Sequence, residues 1–82
     1  MSHKLLRLPT VKAESGLSRS TIYLRVAQGL WTRPVSLGAR AVAWPADEVQ
    51  ALNLARIAGQ GDNDIRQLVQ RLHAARTAGV VK

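Results

Sequence analysis

The side chains best equipped for chemistry in this 82-residue chain are its guanidinium and hydroxyl groups. Lys4, Arg7, Lys12, Arg19, Arg25, Arg33 and Arg40 face a single acid, Glu14, in residues 1–46. Over residues 47–82 the balance is nearly even, with Arg56, Arg66, Arg71, Arg76 and Lys82 against Asp47, Glu48, Asp62 and Asp64. Of the net charge of +7, +6 therefore belongs to the N-terminal half, where most of the basic groups are arginine. Clustered guanidinium groups gain most from a polyanion, through counterion release and bidentate bonding to phosphate. A basic face kept for solubility is the alternative that charge alone leaves open.

Catalysis finds little support. His3 and His73 lie far apart, there is no cysteine, and no carboxylate stands at ligand spacing from either imidazole. Asp62 and Asp64 suit the positive end of a helix dipole. Gly59-Gln60-Gly61 is too short and too poorly accompanied to cradle a phosphate. A small domain also offers little volume for a substrate pocket. The expectation is a non-enzyme with no cofactor and no metal.

These groups need a scaffold, and length bounds it. Eighty-two residues make one domain, 1–82, whose core is aliphatic because the chain has no Phe, two Trp and one Tyr. No apolar run approaches the length of a membrane span, and Met1-Ser2-His3-Lys4 does not open a signal peptide. A cytoplasmic protein with no membrane partner is expected.

Punctuation divides the chain. Residues 4–8 read as a short extended lead-in ending at Pro9. Thr10 reads as the cap of a helix through Val11–Ser15, stopped by Gly16. Ser18 is a second N-cap candidate, for a helix over 19–28 that ends at Gly29. Two helices joined by Gly16-Leu17-Ser18 are a helix-turn-helix signature. Val35-Ser36-Leu37 and Ala41-Val42-Ala43-Trp44 then flank Gly38-Ala39-Arg40 as a β-hairpin. Pro45, with Asp47 and Glu48, opens a third helix to Ala58. Its apolar residues fall on two sides, Val49 and Leu52 against Leu54 and Ile57, which predicts a helix sandwiched between partners. After Gly59-Gln60-Gly61, Asp62 reads as the cap of a last helix over 62–77. Ile65, Leu68, Val69 and Leu72 form one apolar stripe on it, with His73 at its edge. The stripe either folds back on the third helix, the preferred reading, or serves dimerisation. Residues 78–82 are expected to fray.

The second helix carries the recognition chemistry. At about 100° per residue, Ile22, Tyr23 and Val26 share a buried face. Ser20, Thr21, Leu24, Arg25 and Gln28 spread over the opposite one, and such a face fits a major groove about 12 Å wide. Arg19 and Arg25 suit guanine edges, Gln28 suits adenine, and Leu24 suits either a thymine methyl or packing against the hairpin. Ser18, Ser20 and Thr21 read both as caps and, with the amides of the helix N-terminus, as phosphate ligands. Arg33, leading into the hairpin, and Arg40 at its tip complete the set, with Arg40 placed for phosphates or a minor groove. Trp31 and Trp44 are expected in the core, each indole N–H needing a partner.

On Leu5–Leu8, Gly16-Leu17-Ser18-Arg19-Ser20-Thr21-Ile22-Tyr23, Arg33 through Trp44, and Glu48-Val49, the sequence resembles the AlpA family of phage- and island-encoded DNA-binding regulators. The likeness covers roughly residues 5–57. It implies an excisionase-like, MerR-type winged helix-turn-helix, with DNA contacts at Ser18, Arg19, Ser20, Thr21, Tyr23 and Arg40. Trp31-Thr32 stands where the family has Phe then Pro, and the segment from Gly59 onward lies outside the shared pattern. The resulting expectation is a mostly α fold with a small β-hairpin: a winged helix-turn-helix core over 5–58 plus an added C-terminal helix. The partner is double-stranded DNA, either operator or attachment-site repeats. Self-association or cooperative binding follows from how few base pairs one module reads, burying only about 600 to 1,000 Å². The resemblance implies a transcriptional regulator, a recombination directionality factor (excisionase), or both, with integrase or RNA polymerase as protein partners. The competing reading is a protein-interaction adaptor using the C-terminal amphipathic helix.

Overall fold

The computed structural model describes residues 4–78. Its elements are β1 (Leu5–Leu6), α1 (Leu8–Ser15), α2 (Arg19–Gln28), β2 (Val35–Gly38), β3 (Ala41–Pro45), α3 (Ala46–Ile57) and α4 (Asp62–Ala78). The fold is mostly helical with a small antiparallel sheet, a winged-helix-like arrangement extended by a C-terminal helix. His3 and residues 79–82 of the segment expected to fray, 78–82, lie outside the described residues, and Ala78 is the last residue of α4.

The α1–α2 turn follows its local chemistry. Gly16 takes the left-handed conformation at φ 73°, and its N–H returns to the Lys12 carbonyl. Leu17 packs, half-buried, against the core. Ser18 is extended and its Oγ accepts the Thr21 N–H, so it caps α2 as its sequence context predicts. Thr10 does not cap α1. The helix begins at Leu8 with Arg7 as its N-cap, whose carbonyl accepts the N–H groups of Thr10 and Val11. Pro9 sits in the first helical turn, where the missing N–H has no helical acceptor to lose.

The lead-in becomes a third strand. β1 pairs antiparallel with β3, Leu5 opposite Pro45 and Leu6 opposite Trp44, giving the order β1-β3-β2. β3 is thus the central strand, and Pro45 ends it while capping α3. Proline is tolerated there because the next amide, that of Ala46, closes onto the Lys4 carbonyl at 2.8 Å. The hairpin between β2 and β3 has a register irregularity between Ser36 and Gly38, and Ala39 in its turn has φ 46°.

Val11, Ile22, Trp44, Val49, Leu52 and Ile65 form the most deeply buried part of the core, with α1, α2, β3, α3 and α4 each contributing. Two expectations are corrected here. α3 is not sandwiched, since Val49, Leu52 and Ala55 are buried while Leu54 is 60% and Ile57 80% exposed. Asp62 is the first residue of α4 rather than a cap before it, and it pairs with Arg56 at 3.6 Å. The apolar stripe of α4 folds back within the same chain. Ile65 and Val69 are buried, and Leu68 and Leu72 are half-buried against them. Burying each of those two residues contributes about 1.5–3 kcal/mol, which no dimer contact is needed to supply.

Candidate nucleic-acid interface

α2 is anchored by one face and open on the other. Ile22 is fully buried, and Tyr23 and Val26 are half-buried beside it. Ser20, Leu24 and Gln28 are exposed, while Thr21 and Arg25 are partly covered at the flanks. Leu24, at 56% exposure, does not pack into the core. Tyr23 meets Trp44 of the central strand edge-on, with centroids 6.0 Å apart and planes at 67°. The Arg19 guanidinium lies over the other side of this relay, 5.3 Å from the Tyr23 centroid. A cation held this way gains about 0.5–1 kcal/mol at an exposed site and loses some of its rotamer freedom. α2 therefore contacts the sheet through Tyr23, opposite its open face.

At the start of α2, Ser18, Arg19, Ser20 and Tyr23 line one shallow depression. The Ser18 hydroxyl donates to Thr21 Oγ1 at 2.9 Å and lies 3.3 Å from Ser20 Oγ. Three hydroxyls thus surround the first turn of α2, where Ser18 Oγ takes the Thr21 N–H and the Arg19 and Ser20 N–H groups have no intrahelical acceptor. Such a site can bind an anion such as a phosphate, with the Arg19 guanidinium alongside.

The remaining candidates lie elsewhere. Arg40 is exposed in the hairpin turn. Arg33 is exposed in the link between α2 and β2, beside a cleft at the far end of α2 also lined by Val26, Gly29, Trp31, Arg66 and His73. Gln28 keeps its side chain exposed, while its carbonyl accepts Arg66 Nε at 3.0 Å. The candidates are therefore not one cluster but the two ends of α2, its open face and the hairpin tip.

Sequence reasoning missed three residues of α4. Arg66 satisfies the C-terminal carbonyl of α2 and so acts as its cationic cap. His73 is more than the edge of a stripe, because its Nε2 accepts the Arg33 N–H at 3.0 Å. Burial, and then the Arg33 and Arg76 guanidiniums, hold that imidazole below its ordinary pKa, with Glu48 working in the opposite direction. Arg76 grips Glu48 through Nε to Oε2 at 2.8 Å and NH2 to Oε1 at 2.7 Å. Glu48, expected only to complement the dipole of α3, is buried at 4% exposure. The signal was present: Arg66, His73 and Arg76 stand at i, i+7 and i+10, a polar row flanking the apolar stripe.

Both tryptophans are in the core, and their indoles fare differently. Trp44 Nε1 donates to the Thr32 carbonyl at 2.8 Å, while Trp31 Nε1 and Thr32 Oγ1 are buried without a hydrogen-bond partner among the described residues. Among the described residues no group of His, Cys, Asp or Glu could hold a metal ion. No helix there is long and apolar enough to cross a membrane.

A capped helical pair, an anchored helix with one open polar face, and a hairpin braced by a third strand define a winged-helix-like module with a basic surface. The family model described as prophage CP4-57 regulatory protein (AlpA) matches residues 4–52, and the chain belongs to that family of prophage regulatory proteins. It is also 47% identical over 57 residues to the uncharacterised protein ORF88 of Enterobacteria phage P4. That match covers 70% of this chain and 65% of the phage protein, so the chain spans less than two thirds of that relative's length. No solved structure matches the chain. The matched region ends within α3, and α4 lies outside it.

Proposed function

We propose that this protein binds double-stranded DNA as a regulator of a mobile genetic element, with α2 in the major groove and the hairpin tip on the adjacent backbone or minor groove. The observation that carries the reading is the open face of α2, where Ser20, Leu24 and Gln28 are exposed while Ile22 opposite them is fully buried. An α-helix with its side chains is about 10–12 Å across, and the major groove is about 12 Å wide. Ser18, Ser20 and Thr21, with the amides at the start of α2, bind phosphate. Arg19 and Tyr23 contribute beside them, Tyr23 through its hydroxyl. Arg25 and Gln28 read base edges and Leu24 meets a thymine methyl. Arg33 and Arg40 contact the backbone.

The test is a binding series on duplexes enriched from a random pool by the unmodified protein. Arg25→Ala costs about 1–3 kcal/mol and relaxes specificity at one position. Arg40→Ala weakens all sequences alike and lowers the salt slope by about one. Binding that does not change with salt refutes the electrostatic basis of the reading.

Within it, a promoter regulator and a recombination directionality factor differ in where they sit. Sequencing of captured genomic DNA distinguishes a peak beside a promoter, where RNA polymerase is the partner, from repeats in an attachment site, where integrase is. Copies bind side by side at such repeats, which compensates for the few base pairs each module reads. Against the adaptor reading stands the burial of Ile65 and Val69 of the α4 stripe in the core of their own chain.

A further inference from the structure

The hairpin leaves α2 through Leu30–Pro34 and returns into α3 through Pro45, and α4 touches both of its ends. On the outgoing side, Trp31 and Thr32 are buried, and the Thr32 carbonyl is held by Trp44 Nε1. The next peptide unit to either side of the Arg33 Cα is gripped from α4. The Arg33 N–H donates to His73 Nε2 at 3.0 Å, and the Arg33 carbonyl accepts Arg76 NH2 at 2.7 Å. Pro34 follows, with φ fixed by its ring and no N–H of its own. On the returning side, the same Arg76 guanidinium forks onto both oxygens of Glu48, in the first turn of α3. One side chain therefore bridges Arg33, two residues before the hairpin, and Glu48, three residues after it.

We propose that His73 and Arg76 are positioning residues for the wing: by holding Arg33 and Glu48 together they set the angle at which the β2–β3 hairpin stands to α2. This rests on the DNA-binding reading above, because the angle matters for recognition only if helix and hairpin engage one duplex. Two features favour orientation over simple stabilisation. A buried ion pair is often no more stabilising than packed apolar groups of the same size, and its best-attested role is fixing one arrangement among several. The grip also falls on backbone atoms of the linker, where it fixes φ and ψ directly rather than filling space. The imidazole is suited to this task as the neutral acceptor, since both of its nitrogens become donors when it is protonated. The clamp comes from a helix outside the family-matched residues 4–52, so this chain orients its wing with a device that the shared region does not contain.

The experiment uses the full chain and three variants. Arg76→Lys keeps the charge but cannot fork onto Glu48 while reaching Arg33. His73→Leu removes the acceptor, and His73→Gln retains one. Two readouts are taken below the melting temperature of every variant: affinity for a duplex enriched by the unmodified protein against a scrambled duplex, and amide hydrogen exchange. In Arg76→Lys and His73→Leu the preference for the enriched duplex falls about tenfold, while affinity for the scrambled duplex is unchanged. Amides of residues 35–44 exchange faster while those of α2 do not, and His73→Gln restores both values. An unchanged preference overturns the proposal, even if the hairpin exchanges faster, because the clamp would then be structural only. Equal loss on both duplexes, with faster exchange throughout the chain, overturns it as well. If the unmodified protein enriches no sequence, the DNA-binding reading has failed instead; unchanged hairpin exchange would then overturn the clamp too, and faster exchange confined to the hairpin would support it.

Discussion

Truncating Arg76 to alanine removes one side of the most enclosed ion pair in the described residues. The Glu48 side chain is 5% exposed and that of Arg76 23%, and three hydrogen bonds of 2.7–2.8 Å depend on the guanidinium. Exposed pairs contribute about 0–1 kcal/mol, whereas removing one partner of a buried pair costs about 3–5 kcal/mol because the other charge stays behind without compensation. The partial exposure of Arg76 puts this pair at the lower end, about 3 kcal/mol. A domain of this length has roughly 4–12 kcal/mol in total, so the loss is a large fraction of it. At about 4–8 °C per kcal/mol for a domain this small, the melting temperature falls by roughly 12–24 °C. Urea denaturation followed by tryptophan fluorescence measures the loss directly, because Trp31 and Trp44 pass from a buried to a hydrated setting. The double change Glu48→Leu with Arg76→Met is expected to be less destabilising than Arg76→Ala alone, since it leaves no buried charge. A loss below about 1 kcal/mol for Arg76→Ala would refute the reasoning and class the pair with surface bridges.

His73 makes stability depend on pH with a definite sign. Its folded-state value lies below 6.5, so as pH falls through 6.5 the unfolded chain takes up a proton before the folded one does. The stability linked to this group is complete above 6.5 and is lost as the solution becomes more acidic, and His73→Gln flattens that part of the profile in urea melts. In the hairpin turn, Ala39 holds φ 46°, a conformation that costs an L-residue about 1–2 kcal/mol. Ala39→Gly relieves that strain at the expense of a more flexible unfolded chain, a penalty of about 0.4–1 kcal/mol, so thermal melts should show a net gain of roughly 0.5 kcal/mol.

Much of the architecture is legible in local sequence because local physics decides it. Gly16 and Gly29 end their helices in the left-handed conformation wherever the surrounding chain goes, and Ser18 finds its acceptor role three residues away. The buried and open faces of α2 follow from helical periodicity, and the α4 stripe could be read as a face that must be covered. What sequence misjudged depends on distant segments. The lead-in became a strand only because β3 offered it a free edge at Trp44 and Pro45, and Thr10 lost its capping role once α1 started at Leu8. Leu54 and Ile57 look like core residues by type, yet no element among the described residues covers them.

The same division holds at the candidate interface. The chain's own composition determined a basic N-terminal half, an aliphatic core and a helix with hydroxyl, amide and guanidinium groups on one face, because charge and period are properties of the residues themselves. Only the tertiary structure decided that Arg66 caps α2, that His73 and Arg76 hold the Arg33 backbone, and that Glu48 is buried rather than solvated. These contacts join residues 28 to 43 positions apart. A hydrogen bond needs its partners within about 3.2 Å, and no spacing along the chain determines where a helix from the other end of the sequence will place its side chains.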